Sequence, residues 1–222
     1  INAWYGMMLW GQVSGNTQIR DRGVYLFNTE RVAVEEYWFD VSSTNFPARF
    51  RQVALGMVWG GKGAFATWFS ADIDCIHGIN WLPFTPASLY MGRHPTYVKR
   101  NFDRITAKRK QGTDYNNGWG DLVVMFGALQ DPAIGLSHLE KHPQCSIEDG
   151  NTHAFMLQWL HTLDHYGVNC PDITSDYPFV NVFLKEDTTT YVAYNFGEKP
   201  LTVTFSDGKT MLAEPGILTV IQ

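Results

Sequence analysis

The residues best suited to chemistry in this chain are concentrated between positions 72 and 86. Asp72 and Asp74 flank Ile73, and in an extended segment side chains two apart point the same way. Two carboxyl groups so placed have the composition of a glycoside-hydrolysing pair, which needs its members held about 5 to 9.5 Å apart across the bond. The plainer assignment is a solvated turn. Directly after them the string IHGINWLPFTP, residues 76–86, combines a histidine, a glycine, a tryptophan and two prolines. That mixture makes poor helix and poor strand, so the segment is expected to be a stiff loop that displays His77 and Trp81. An indole face suits the C–H face of a pyranose, while neighbouring His, Asn and Asp groups take up hydroxyls. The plainer assignment here is that Trp81 and Leu82 plug the core and His77 binds a backbone carbonyl.

Other candidates are weaker. His138 and His142, like His161 and His165, stand four apart and would share a helix face, the spacing of zinc-binding helices. Neither HLEKH nor HTLDH has the form HExxH, so both pairs read as surface histidines and no metal is assigned. Glu35-Glu36 reads as the polar face of a helix, and Glu148-Asp149 as compensation for a helix N-terminus. GxSxG, GxxxxGK[ST] and GxGxxG are all missing, which disfavours acyl transfer and nucleotide chemistry. No cofactor is implied.

The elements that must hold these residues fall into two regimes. Up to about Gly167 the apolar residues recur at helical spacing, and from Tyr177 onward they alternate. The division predicts one region over 1–170 and a strand region over 171–222. A helix is expected near 17–39, with Ile19, Gly23, Leu26, Phe27, Ala33, Val34, Tyr37 and Trp38 on its apolar stripe and Arg20, Asp21, Arg31 and Glu35 opposite. Further helices are expected at 96–108, 119–129 and 152–166, the last capped by Asn151. A β-hairpin is expected around Trp59-Gly60-Gly61-Lys62-Gly63, whose glycines supply positive φ. The tail runs FVNVFL, TYVAYN, LTVTF, KTMLA and ILTVI, separated by turn residues, should form a small antiparallel sheet.

With 222 residues, 45% apolar and 18% charged, the chain can bury a substantial core. A net charge of −5, with basic residues clustered only at Lys108, Arg109 and Lys110, argues against nucleic acid as a partner. No apolar run reaches the roughly 18 residues of a membrane span. Cys75, Cys145 and Cys170 are too few and too scattered for a disulfide framework or a zinc knuckle. The opening INAWYGMMLWGQV is helical without an initiator methionine or a capping residue before it, so the natural start is expected upstream.

Taken in order, INAWYGMMLWG, NFP at 45–47, the hairpin ending in ATWF, IHGINWLPFTP, GWGDLVVMFGALQDP, DGNTHAF and TYVAYN with VTFSDG resemble glycoside hydrolase family 81, the endo-1,3-β-glucanases. The resemblance covers nearly the whole chain. It implies a mainly α fold, part of an (α/α)6 toroid, with an inserted β-hairpin and a small C-terminal antiparallel sheet. It implies an inverting hydrolysis in which an aspartic acid protonates the leaving oxygen and a glutamate activates water. Both belong to motifs that precede the INAWYGM helix, so no catalytic residue is assigned in this chain. Trp4, Tyr5, Asp74, His77 and Trp81 are the substrate-binding residues this resemblance suggests. It further implies a β-1,3-glucan polysaccharide as substrate, an N-terminal part of the same protein as partner, and an extracellular location. A non-catalytic glucan-binding module, or a toroid of another family using Asp72, Asp74 or Asp121, are the alternative assignments.

Overall fold

The computed structural model describes residues 1–222. The chain is helix-rich, with small antiparallel sheets, and divides into two compact units. One is assembled from Ile1–Arg31 with Tyr166–Gln222, the other is Val32–His165. The first unit is thus discontinuous in sequence. No helix is long and apolar enough to cross a membrane.

In the first unit, α1 (Asn2–Val13) and the start of α2 (Thr17–Tyr37) pack antiparallel through two glycines. A Cβ on Gly11 would stand 2.2 Å from the Arg20 backbone nitrogen, and one on Gly23 would stand 2.7 Å from that of Met8. Only glycine allows backbones so close. Eight strands occur in the whole chain, and six of them lie in this unit: β3 (Val168–Asn169), β4 (Val180–Lys185), β5 (Thr188–Tyr194), β6 (Leu201–Thr204), β7 (Thr210–Ala213) and β8 (Leu218–Ile221).

The tail forms two sheets where one was expected: a four-stranded sheet in the order β3-β4-β5-β8 and the hairpin β6-β7. The reason is the alternation itself. Val203 on β6 and Met211 and Ala213 on β7 all face inward, and they meet Val182, Tyr191 and Ala193 of the larger sheet in one buried cluster. The hairpin therefore stacks as a second layer and does not extend the first.

The second unit is built around α5 (Gly120–Gly127), all eight of whose residues are buried. Before it come the strands β1 (Met57–Trp59) and β2 (Lys62–Ala64), α3 (Ile73–Gly78), a 3-10 helix (Pro86–Arg93) and α4 (Pro95–Lys108). After it come α6 (Ala133–Lys141) and α7 (His153–Tyr166). The hairpin forms where expected, with Trp59 opposite Lys62, and Gly60 takes φ +51° in its two-residue turn. On α7, Met156, Trp159, Leu160 and Leu163 are buried, and the Trp159 indole N–H donates to the Met125 carbonyl at 2.9 Å.

Two local expectations change. The α7 cap is Thr152, whose Oγ1 accepts from Phe155 N at 3.1 Å, because Asn151 is drawn away to Asp121. On α2 the stripe is shifted: Glu35 is buried beside His94, whose Nε2 lies 3.4 Å from its Oε2, while Tyr37 is 59% exposed.

Candidate functional site

Only the first three residues of the segment read as a stiff loop are helical, as the end of α3; residues 79–85 are turn and loop. Asp72 accepts from the Ile73 N–H at 3.1 Å and so starts α3, which carries Asp74 in its first turn and His77 in its last. Asp72 is occupied as the cap of α3 and Asp74 is buried, so the two do not form a carboxylate pair across an opening.

Asp74 instead turns inward. Its two oxygens receive Arg109 Nε at 2.8 and 3.0 Å, and Arg109 Nη2 lies 2.8 Å from Oδ2. Both side chains are almost wholly enclosed. Burial pushes the Asp74 carboxyl up from its ordinary value, and the hydrogen bonds and charge of Arg109 oppose that rise. Arg109 also donates from Nη2 to the Asn117 carbonyl at 3.1 Å, which ties the end of α4 to the loop before α5. The pair is a buried brace, and loss of one member would strand the charge of the other.

His77 is completely buried. Its Nδ1–H donates to Asn101 Oδ1 at 2.6 Å, Asn101 Nδ2 donates to the Tyr97 hydroxyl at 2.9 Å, and that hydroxyl donates to the Val53 carbonyl at 3.1 Å. The direction of this chain makes Nδ1 a protonated ring nitrogen of His77. Burial lowers the His77 pKa to about 4, with Lys108 and Arg104 acting in the same sense and the Asn101 hydrogen bond against it. Trp81 is 2% exposed and stacks on Phe126 with ring centroids 4.3 Å apart. The expectation that a loop displays His77 and Trp81 is therefore corrected: the short helix and the apolar face of α5 draw both inward.

Asp121 is buried at the start of α5, where Oδ2 accepts from the Glu148 N–H at 3.1 Å and from Asn151 Nδ2 at 2.8 Å. Burial pushes its carboxyl up as well. Each of Asp72, Asp74 and Asp121 thus has a structural bond to hold.

The segment just before α3 exposes aromatic side chains. Trp68 is 87% and Phe69 41% exposed, with their rings edge-on at 5.4 Å, and Phe69 lies 5.8 Å from Trp119. They sit on a corner that the chain ties to itself. Thr67 Oγ1 accepts from Ser70 N at 3.1 Å and donates to the Ser70 carbonyl at 2.6 Å, and Ser70 Oγ accepts from Asp72 N at 3.1 Å. The corner leads straight into α3, and Trp119 packs over that helix at Gly78, where a Cβ would come within 2.8 Å of the indole. An open depression of about 560 Å³ runs along residues 65–71, with Ile76 at its base.

Sequence reasoning did not single out Trp68. The available signal was two large aromatics in succession between Thr67 and Ser70, in a segment with no apolar periodicity to bury them. In the other unit, Trp4 and Tyr5 stand one turn into α1 and are both partly buried; burial pushes the Tyr5 hydroxyl up. The structure brings Asp74, His77 and Trp81 together on and after α3, and holds Trp4 and Tyr5 on a separate helix.

An exposed, pre-ordered aromatic corner beside braced carboxylates can offer apolar ring faces to a ligand. Residues 1–159 match the model of the glycosyl hydrolase family 81 C-terminal domain. A glucan endo-1,3-β-D-glucosidase of Acetivibrio thermocellus is 40% identical over 99% of this chain, and one of Thermobifida fusca is 36% identical over 95%. The chain spans 28% and 27% of the length of those two relatives. A solved family 81 glycoside hydrolase from Clostridium thermocellum superposes with a TM-score of 0.91 at 38% identity, covering 99% of this chain and 30% of that one. This chain belongs to glycoside hydrolase family 81.

Proposed function

We propose that the chain is part of an endo-1,3-β-glucanase in which it forms one side of the substrate cleft. The supporting observation is the family match over residues 1–159, joined to 40% identity with a glucan endo-1,3-β-D-glucosidase across nearly the whole chain. The catalytic acid and base belong to the part of the relatives' length that this chain does not span. That assignment agrees with the structural bonds held by Asp72, Asp74 and Asp121. The reaction is an inverting hydrolysis, with one carboxyl group protonating the leaving oxygen and another activating water on the opposite face. Such chemistry needs neither metal nor cofactor.

In this reading the helices are members of an (α/α)6 toroid. Trp4 and Tyr5 line the substrate side of α1, one turn beyond the upstream glutamates. Trp68 and Phe69 offer faces for sugar rings, while Asp74, His77 and Trp81 act from behind as positioning residues. The substrate is a β-1,3-glucan, met outside the cell or in the cell wall.

The test is release of reducing ends from soluble β-1,3-glucan by the 222-residue chain and by a protein extended upstream through the expected glutamates. Activity confined to the extended protein is the expected result. Equal activity in both would overturn it and turn attention to Asp72, Asp74 and Asp121.

A further inference from the structure

A second opening in the Val32–His165 unit is larger than the depression beside Trp68. About 810 Å³ in volume, it lies between the end of α2, the loop at 45–50 and the β1-β2 hairpin. That size falls within the range of roughly 300–1,000 Å³ usual for ligand clefts. We propose that this cleft is a binding subsite for a neutral β-1,3-glucan segment. The proposal rests on the family's glucan reading given above, but on different residues.

The floor is aromatic. Phe46 and Phe50 meet edge to face at 4.9 Å, with Trp38 and Tyr37 beside them, and Tyr37 is 59% exposed although it lies on the helix stripe expected to be buried. Rings of this kind offer apolar faces to the C–H faces of pyranoses. The rim is polar: Asn45, Arg49 and Lys62 carry amide, guanidinium and ammonium donors on long or flexible arms, suited to hydroxyl oxygens.

The loop that carries the floor is fixed in advance. Asp40, 6% exposed and at φ +46°, accepts at Oδ1 from the backbone N–H of Thr44 (2.9 Å) and Asn45 (2.8 Å), and at Oδ2 from that of Phe46 (3.0 Å). Arg100 donates to the Asp40 carbonyl at 3.3 Å and to Ser43 Oγ at 3.0 Å. Asn45 Nδ2 donates to Glu36 Oε2 at 2.7 Å. One buried carboxylate thus orders three successive amides, and the loop does not have to be ordered when a ligand arrives.

The opposite wall is kept low by glycine. A Cβ on Gly60 or Gly61 would meet nothing within 4 Å, so the hairpin turn leaves space where a side chain could stand. Gly61 has an ordinary φ, which makes it a place to fill the cleft without straining the fold.

The experiment is native affinity electrophoresis through gels with and without soluble β-1,3-glucan, run on the 222-residue chain and on the upstream-extended protein. Tyr37→Ala removes a ring from the floor, and Gly61→Leu fills the opening; circular dichroism checks that both fold. Each is expected to weaken glucan retardation by about threefold to tenfold, with little retardation of the parent in β-1,4-glucan gels. Retardation of both variants matching the parent, or a parent that β-1,3-glucan does not retard in either form, would overturn the proposal. A Trp68→Ala variant run alongside separates the two surfaces. Loss there with Tyr37→Ala and Gly61→Leu unaffected sinks this subsite and leaves the corner at Trp68 standing. Hydrolysis by the extended protein, assayed independently, reports on the proposed activity whichever way the gels fall.

Discussion

Trp68 and Trp81 stand on either side of α3 and carry the same side chain, yet one is 87% exposed and the other 2%. Trp68 is held out on a corner closed by the Thr67 and Ser70 hydroxyls, and its ring meets Phe69 edge-on. Trp81 is pressed against Phe126 of a helix whose residues are all buried. Behind it His77 completes a directed chain of hydrogen bonds to Asn101, Tyr97 and the Val53 carbonyl. An indole can serve as a sugar platform or as a core plug, and its neighbours decide which. In this protein the string richest in chemically able residues became scaffold, and the plainer ATWF corner became surface.

Mutation should split the two indoles cleanly. Trp81→Ala leaves a cavity against Phe126 and is expected to cost about 3–5 kcal/mol, read as a lower urea midpoint. Trp81→Phe should recover most of that, because the indole N–H has no hydrogen-bond partner to lose. A Trp81→Ala protein as stable as its parent would mean that the ring is not in the core.

The next effect is pH-dependent and belongs to the buried side. The His77 pKa is lowered to about 4 in the folded protein, against 6.5 unfolded, so between those values the unfolded chain binds more protons. Stability from this group therefore falls as pH drops from 6.5 towards 4, by about 3 kcal/mol in all. Burial of Asp74 and Asp121 raises their pKa values and works in the opposite sense at the acid end, so the readout is the difference from His77→Gln. Urea midpoints measured from pH 7 to pH 4 should fall more steeply in the parent than in the variant. Parallel curves would show that His77 does not titrate as a buried neutral group.

On the exposed side the consequence is for binding. Trp68→Ala should change stability by less than about 0.5 kcal/mol while weakening retention on β-1,3-glucan by about threefold to tenfold. Unchanged retention would remove Trp68 from the proposed glucan surface.

Much of the fold was legible in the residues. Alternation in the tail located its five main strands, the three-to-four spacing of Met156, Trp159, Leu160 and Leu163 located α7, and the glycines after Trp59 located the hairpin. These signals are local, carried by the period of the element itself. The site was less legible. Asp72 looked like half of a carboxylate pair and proved to be a helix cap, and Asp74 found Arg109, a partner far along the chain. Glu35 and Tyr37 exchanged the faces expected of them, because the apolar stripe of a helix follows whichever surfaces it meets along its length.

The sequence by itself determined the family, the type of the strongly periodic elements and the presence of aromatic rings in excess of what a core requires. Only the tertiary structure decided which rings reach solvent, which carboxylates are braced, and that β6-β7 stacks as a second layer. Periodicity is written in neighbouring residues. Burial depends on contacts between residues distant in sequence, and those exist only once the chain has folded.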